Sequence, residues 1–154
     1  MSRPARQRPE SVLVVVHTPA GEVLLLERVA PRGWWQSVTG ALGEHESPVE
    51  AARREVQEET GFAPDGLRDL GLSHRYPIHP AWRSRYAPDA AENLEHAFAL
   101  ELPQPRTPRL AASEHRGWAW LSVADAQHRA TSDTDRAAIA AAFRSGSDHI
   151  KCLI

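Results

Sequence analysis

The stretch GALGEHESPVEAARREVQEETGF, residues 40–62, decides how the rest of the chain is read. Its middle predicts a helix over about residues 48–60. Ser47 suits the N-cap, and Pro48 suits the first helical position, where a missing N–H is no loss. Glu50, three residues after the cap, completes a capping box, and Gly61 supplies the stop. At 3.6 residues per turn, Glu55, Glu58 and Glu59 fall within an arc of roughly 100°. Arg54 is spaced to meet Glu50 and Glu58. Glu55 and Glu59, by contrast, have only alanine, valine, phenylalanine or another glutamate three or four positions away. Like charges at that spacing cost roughly 0.2–0.5 kcal/mol each. Three glutamates alone would fit a solvated acidic face. A hard divalent cation is the other solution, because carboxylate oxygens are what Mg²⁺ prefers.

The punctuation around the helix decides between the two. Gly40 is followed by five residues and Glu46, seven more lead to Arg54-Glu55-Val56, and Gln57 precedes Glu58-Glu59, Thr60 and Gly61-Phe62. At every fixed position this resembles the Nudix box, G-x5-E-x7-R-E-U-x-E-E-x-G-U, where U is a bulky aliphatic or aromatic residue. The resemblance implies a Nudix α/β/α sandwich with a mixed β-sheet, in the α+β class, and hydrolysis of a diphosphate linkage. It implies Mg²⁺ as cofactor, with Mn²⁺ as the alternative. Glu55 and Glu59 would be the principal metal ligands, Glu58 a ligand or support, and Gly40 a tight turn bringing a carbonyl to the metal. Arg54 and Glu46 would assist catalysis together with Glu58 and Glu59, with Arg54 holding a neighbouring carboxylate by a forked hydrogen bond.

The resemblance extends beyond the box. Arg8-Pro9, the run from Ser11, Trp35 to Gly40, Arg85 to Pro88, Asn93 with Glu95, Phe98 to Pro103, Glu114-His115 and Trp120-Leu121 are similar to the branch of the family that removes pyrophosphate from dihydroneopterin triphosphate in folate biosynthesis. That branch implies Glu114 as a further metal ligand, and Arg28, Thr39 and Ser132 as substrate contacts. Two departures stand out: Gln7 where the family has lysine, and a different loop around Tyr76 to His79. The alternative substrates are nucleoside triphosphates such as dGTP or oxidised nucleotides, since pterin and guanine share a 2-amino-4-oxo edge. A non-catalytic nucleotide-sensing module is the remote reading, opposed by the retention of all three helix glutamates.

Elsewhere the pattern predicts strands on both sides of Pro19 to Glu22, at Ser37 to Thr39, Leu67 to Leu72, Glu95 to Leu102 and Trp118 to Leu121. Pro77 to Asp89 and Pro103 to Pro108 read as loops. Ser122 caps a brief helix, and an amphipathic helix runs from about Asp133 to Arg144 with Ile139 and Phe143 inward. One domain is expected over residues 10–145, with a flexible basic tail at 1–9 and a C-terminal tail at 146–154. Trp34 or Trp82 could stack on a flat ring, whereas Trp35 and Trp120 are expected in the core.

The chain has 154 residues, 42% hydrophobic and 25% charged, which suits one packed domain. Its formal charge of −2 excludes a general nucleic-acid binder, and no apolar run is long enough to span a membrane. The expected partner is therefore a small-molecule triphosphate, with no nucleic acid and no membrane, and the expected location is cytoplasmic. The oligomeric state is left open. Arginine supplies 17 of 18 basic residues and alanine occurs 24 times, so a single arginine is weak evidence for a phosphate site. The lone Cys152 excludes an internal disulfide or a cysteine-based zinc site. Eight histidines include no pair at metal-binding helical spacing, and His115 is expected to have a surface or packing role rather than to shuttle protons.

Overall fold

The computed structural model describes residues 7–153, with side-chain surroundings through residue 144. Its axis is β1 (Glu10–His17), in which Val12 to Val16 are all buried. Alternation along the strand sends Val12, Val14 and Val16 into one core and Leu13 and Val15 into the other. A strand apolar on both faces needs a layer on each side, and the helices supply them.

α1 (Pro48–Thr60) lays Ala51, Ala52 and Val56 on the core containing Val12, Val14, Leu24, Phe98 and Leu100. On the other face, Ala126 of α2 (Val123–Arg129) joins Ala138, Ile139 and Ala142 of α3 (Asp133–Leu153) against Leu13, Val15, Val23 and Leu25. Full burial of Val56 or Ile139 contributes about 1.5–3 kcal/mol each. The expected α/β/α sandwich is the observed one.

The sheet is mixed. β1 runs parallel to β6 (Glu92–Glu101) from end to end, and β6 pairs antiparallel with β5 (Arg68–Pro77). On its other edge β1 meets two strands. It pairs with β2 (Glu22–Arg28) at His17 and Val23, then with β4 (Val38–Ala41) from Ser11 to Val14. β2 continues with β7 (His115–Ser122) and with the two-residue β3 (Trp35–Gln36). The edge of β1 is thus shared, and residues from both branches line the cleft where they part.

The helix at 48–60 has the expected ends. Ser47 accepts from the Glu50 N–H, Glu50 accepts from the Ser47 N–H, and Gly61 closes the helix at φ 77°, a left-handed value that a side chain would strain. Several boundaries differ from expectation. β5 reaches Pro77, and Pro80–Arg85 forms a 3₁₀ turn within the expected loop. α3 continues to Leu153, so residues 146–153 extend the helix instead of forming a tail. Of the expected basic tail, residues 1–6 lie outside the described residues, and residues 7–9 are tied down. Gln7 N–H donates to Arg85 C=O, Pro9 C=O accepts from Leu94, and the Arg8 guanidinium donates to the carbonyls of Gly43, Glu44 and Glu46. Cys152 lies outside the residues whose side chains are described. Among the described residues, no helix is long and apolar enough to cross a membrane.

Candidate active site

The sheet-facing side of α1 carries acids as well as alanine and valine. Glu55 and Glu59, one turn apart, are both buried, whereas Glu58 points outward and is half exposed. Arg54 binds this group together. Its Nε and Nη2 each lie 2.8 Å from one oxygen of Glu46, a forked pair. Nη1 donates to Glu55 at 2.6 Å and to Glu58 at 3.1 Å, and Nη2 also donates to Ala41 C=O at 3.0 Å. Glu55 therefore has a cation beside it, contrary to the expectation from helical spacing. Arg54 does not reach Glu50, which the capping box holds. The Arg54 hydrogen bonds bring the Glu46 carboxyl down to about 2.

Glu59 has no such help. It is 1% exposed, and neither carboxylate oxygen has a hydrogen-bond partner. Burial, reinforced by Glu55 and Glu114, pushes its pKa well above the usual carboxylate range. Burial also raises Glu55, with Arg54 opposing. Two buried acids, one of them without a partner, are a costly arrangement unless a cation joins them. Ligand atoms of Glu59, Glu114 and His115 lie within 4.8 Å of one another, which suits a common ion. The donor set, mostly carboxylate oxygen, fits a hard divalent metal.

Gly40 contributes by what it lacks. It is not a tight turn, as expected, but a strand residue of β4 opposite Val12. A Cβ there would collide with the Glu55 carboxyl group, so glycine makes room for the acid. Of the two roles expected for His115, surface or packing, the structure shows the buried one: it is 2% exposed, and its Nε2 lies 3.4 Å from Glu59. Burial, with Arg28 nearby, lowers its pKa to about 4, so the imidazole is neutral. Sequence spacing could not show this, because β7 brings His115 to α1 from 56 positions away.

Two cavities adjoin. The first, about 540 Å³, is lined by Glu55, Glu114, Arg28, Gly40, Ser11 and Asn93, among others. Arg28 donates from Nε to Ala30 C=O at 2.7 Å and lies over the Trp82 ring at 5.1 Å, and burial lowers its pKa. Gln7 faces the same space and donates to the Tyr86 hydroxyl. The second cavity, about 420 Å³, shares Gln36, Thr39, Tyr76 and Trp82 with the first and adds Trp34, His79, Glu95, Ser132 and Asp135. Thr39 donates its hydroxyl to Val12 C=O, and Ser132 accepts from Asp135 N–H as an N-terminal cap of α3 while still lining the cavity. Trp35 and Trp120 pack against the two cores, as expected.

Comparison with known proteins agrees with this geometry. A family model, the NUDIX domain, matches residues 7–143. The chain belongs to the Nudix family. Dihydroneopterin triphosphate diphosphatase of Escherichia coli K12 is 36% identical over 86% of this chain and 91% of its own length. The Haemophilus influenzae protein of the same name is 35% identical over 84% of each. The solved E. coli dihydroneopterin triphosphate pyrophosphohydrolase superposes with a TM-score of 0.82 at 35% identity, over 88% of this chain and 95% of that one.

This Nudix chain is thus a pyrophosphohydrolase with a site suited to a divalent metal. Of the residues expected to serve it, the fold gathers Glu46, Arg54, Glu55 and Glu58 through one guanidinium, and Glu59 and Glu114 around His115. Gly40, Arg28 and Thr39 line the first cavity, and Ser132 only the second. The sequence reading gave no role to Arg8, to the half-buried Tyr76 or to the buried Asn93 and Glu95. A signal for the last two was present: Asn93 and Glu95 occupy the same alternating face of β6 as the buried Ala97.

Proposed function

We propose that this Nudix enzyme hydrolyses dihydroneopterin triphosphate to dihydroneopterin monophosphate and pyrophosphate, serving folate biosynthesis, with Mg²⁺ as its metal. The observation that carries the reading is the pair of joined cavities, one acidic with an arginine at its side, the other walled by Trp34, His79 and Trp82. The first suits a metal-bound polyphosphate and the second a flat bicyclic ring. The identity to relatives bearing that enzyme's name supports the same substrate.

Roles follow from position. Glu55, Glu58, Glu59 and Glu114 would hold the metal, and Gly40 leaves room for the Glu55 carboxyl. When bound, the metal neutralises phosphate charge and favours attack by water on phosphorus. Glu58 and Glu59 are the carboxylates available to take the proton of that water. Arg54 and Glu46 are positioning residues that keep Glu55 and Glu58 in place. Arg28 meets the phosphates, while Thr39 and Ser132 line the substrate path. One Nudix domain over residues 10–145 carries all of these groups.

Pyrophosphate release from dihydroneopterin triphosphate, with and without Mg²⁺ and beside dGTP as competitor, tests the proposal. Metal-dependent turnover with higher kcat/KM for the pterin is expected. No turnover of the pterin at micromolar enzyme, or a clear preference for dGTP, overturns it.

A further inference from the structure

We infer that Glu95 reads the heterocycle, its carboxylate accepting the adjacent ring N–H and exocyclic amino group of a 2-amino-4-oxo ring. This rests on the proposed substrate class and names the residue that selects within it.

Four observations lead there. Glu95 lines the second cavity with Trp34, His79 and Trp82, whose rings pack at 5.2–5.4 Å between centroids. It is 5% exposed, so its carboxylate meets the cavity and not bulk water. One oxygen, Oε2, is fixed: the Tyr76 hydroxyl donates to it at 3.2 Å, while Asn93 donates to Tyr76 at 3.1 Å and to Ser11 at 2.7 Å. That chain of bonds runs back to the first cavity, which Ser11, Tyr76 and Asn93 also line.

Of the cavity's two other acids, Asp133 is solvent-exposed and paired with Arg136, and Asp135 is already occupied. Asp135 accepts from the Ser37 backbone N–H at 2.6 Å and the Ser37 hydroxyl at 2.8 Å, one bond to each oxygen. It braces α3 against the strand register and has little left to offer. Burial raises the Glu95 carboxyl to about 7; the Thr134 and Tyr76 hydroxyls oppose this as hydrogen-bond donors, Asp135 adds to it, and no cation among the described residues faces the group. Ligand donors would supply what the protein does not.

An ionised carboxylate only accepts, and its two oxygens match two parallel donors side by side. A pterin or guanine presents that pair. Hypoxanthine lacks the amino group and offers one donor. Adenine sets a ring acceptor beside its amino group, so one carboxylate oxygen would face a lone pair.

The test is Glu95→Gln, which keeps the shape and an acceptor for Tyr76 but turns an amide NH₂ toward one of the incoming donors. Wild type and variant are compared on dihydroneopterin triphosphate, dGTP and dITP, and on neopterin, guanosine and inosine as phosphate-free binding probes, with Mg²⁺ affinity and the urea midpoint as controls. Wild type should prefer dGTP to dITP by about tenfold or more. The variant should lose about 10- to 100-fold in kcat/KM on the pterin and guanine substrates, mostly through KM, and less than about threefold on dITP. Equal losses on all three, or an unchanged dGTP-to-dITP ratio, overturn the inference. A wild type that does not distinguish dGTP from dITP overturns it too, without any variant needing to fold. Should wild type accept dGTP and refuse the pterin, the substrate reading fails while the dGTP-to-dITP ratio still judges Glu95. Should none of the triphosphates turn over, guanosine against inosine binding judges it instead.

Discussion

Replacing Glu59 by Gln should move stability and activity in opposite directions. In the metal-free protein Glu59 is 1% exposed with both oxygens unpartnered, beside Glu55 and Glu114. A buried polar group without partners costs about 1–3 kcal/mol, and more once it is charged. The amide is isosteric and neutral, and can donate to a neighbouring acid. Metal-free Glu59→Gln should therefore melt higher than wild type by roughly 2–12 °C, at about 2–4 °C per kcal/mol for a chain of this size.

The pH dependence has a definite sign. The folded pKa of Glu59 lies above its unfolded value, so between the two the folded protein binds more protons. Wild type therefore loses stability as pH rises from about 4.5 toward the folded pKa, and the difference between variant and wild type widens over that range. Mg²⁺ reverses the order. At about 100 times its Kd an ion adds about 2.7 kcal/mol to the protein that binds it, and the variant should forfeit most of that gain. Turnover should drop by about 10²- to 10³-fold. Differential scanning calorimetry from pH 4.5 to 8, with EDTA and with Mg²⁺, reads all but the last. A metal-free variant less stable than wild type, or one with the full Mg²⁺ shift, would refute the assignment of Glu59 as a metal-awaiting acid.

Further outcomes are equally specific. Gly40→Ala puts a methyl group into the Glu55 carboxyl on an unstrained strand, so titration calorimetry should show metal affinity falling at least about tenfold with the fold intact. Arg54→Lys cannot make the fork to Glu46 and also reach Glu55, Glu58 and Ala41; kcat should fall about 10- to 100-fold, and the Glu46 carboxyl, followed by NMR, should rise from about 2 toward the ordinary range. Ser132→Ala removes the cap on Asp135 N–H and should lower stability by about 0.5–2 kcal/mol in urea melts.

How much of this was visible in the chain depends on the range of the interactions involved. The capping box, the left-handed stop at Gly61 and the placing of three glutamates on one helix arc are local matters of dihedral preference and helical pitch, so residues 40–62 were enough to reveal them. The apolar run before Pro19 likewise announced a strand, whereas its coverage on both faces came only with the packed helices. What each acid meets was another matter. Helical spacing left Glu55 without a cation, yet Arg54 beside it folds back to reach it, because Glu46 on the preceding loop and Ala41 at the end of β4 hold the guanidinium there. Glycine at position 40 announced a turn, and only packing of α1 on β4 turned its missing side chain into space for a carboxylate. His115, 56 residues from Glu59, and Glu95, 84 residues after its β1 neighbour Ser11, acquire their surroundings from the pairing and packing of distant strands. Local geometry is set by a few adjacent dihedrals, whereas burial and partnership are set by which distant strands lie side by side, and only the assembled sheet specifies that.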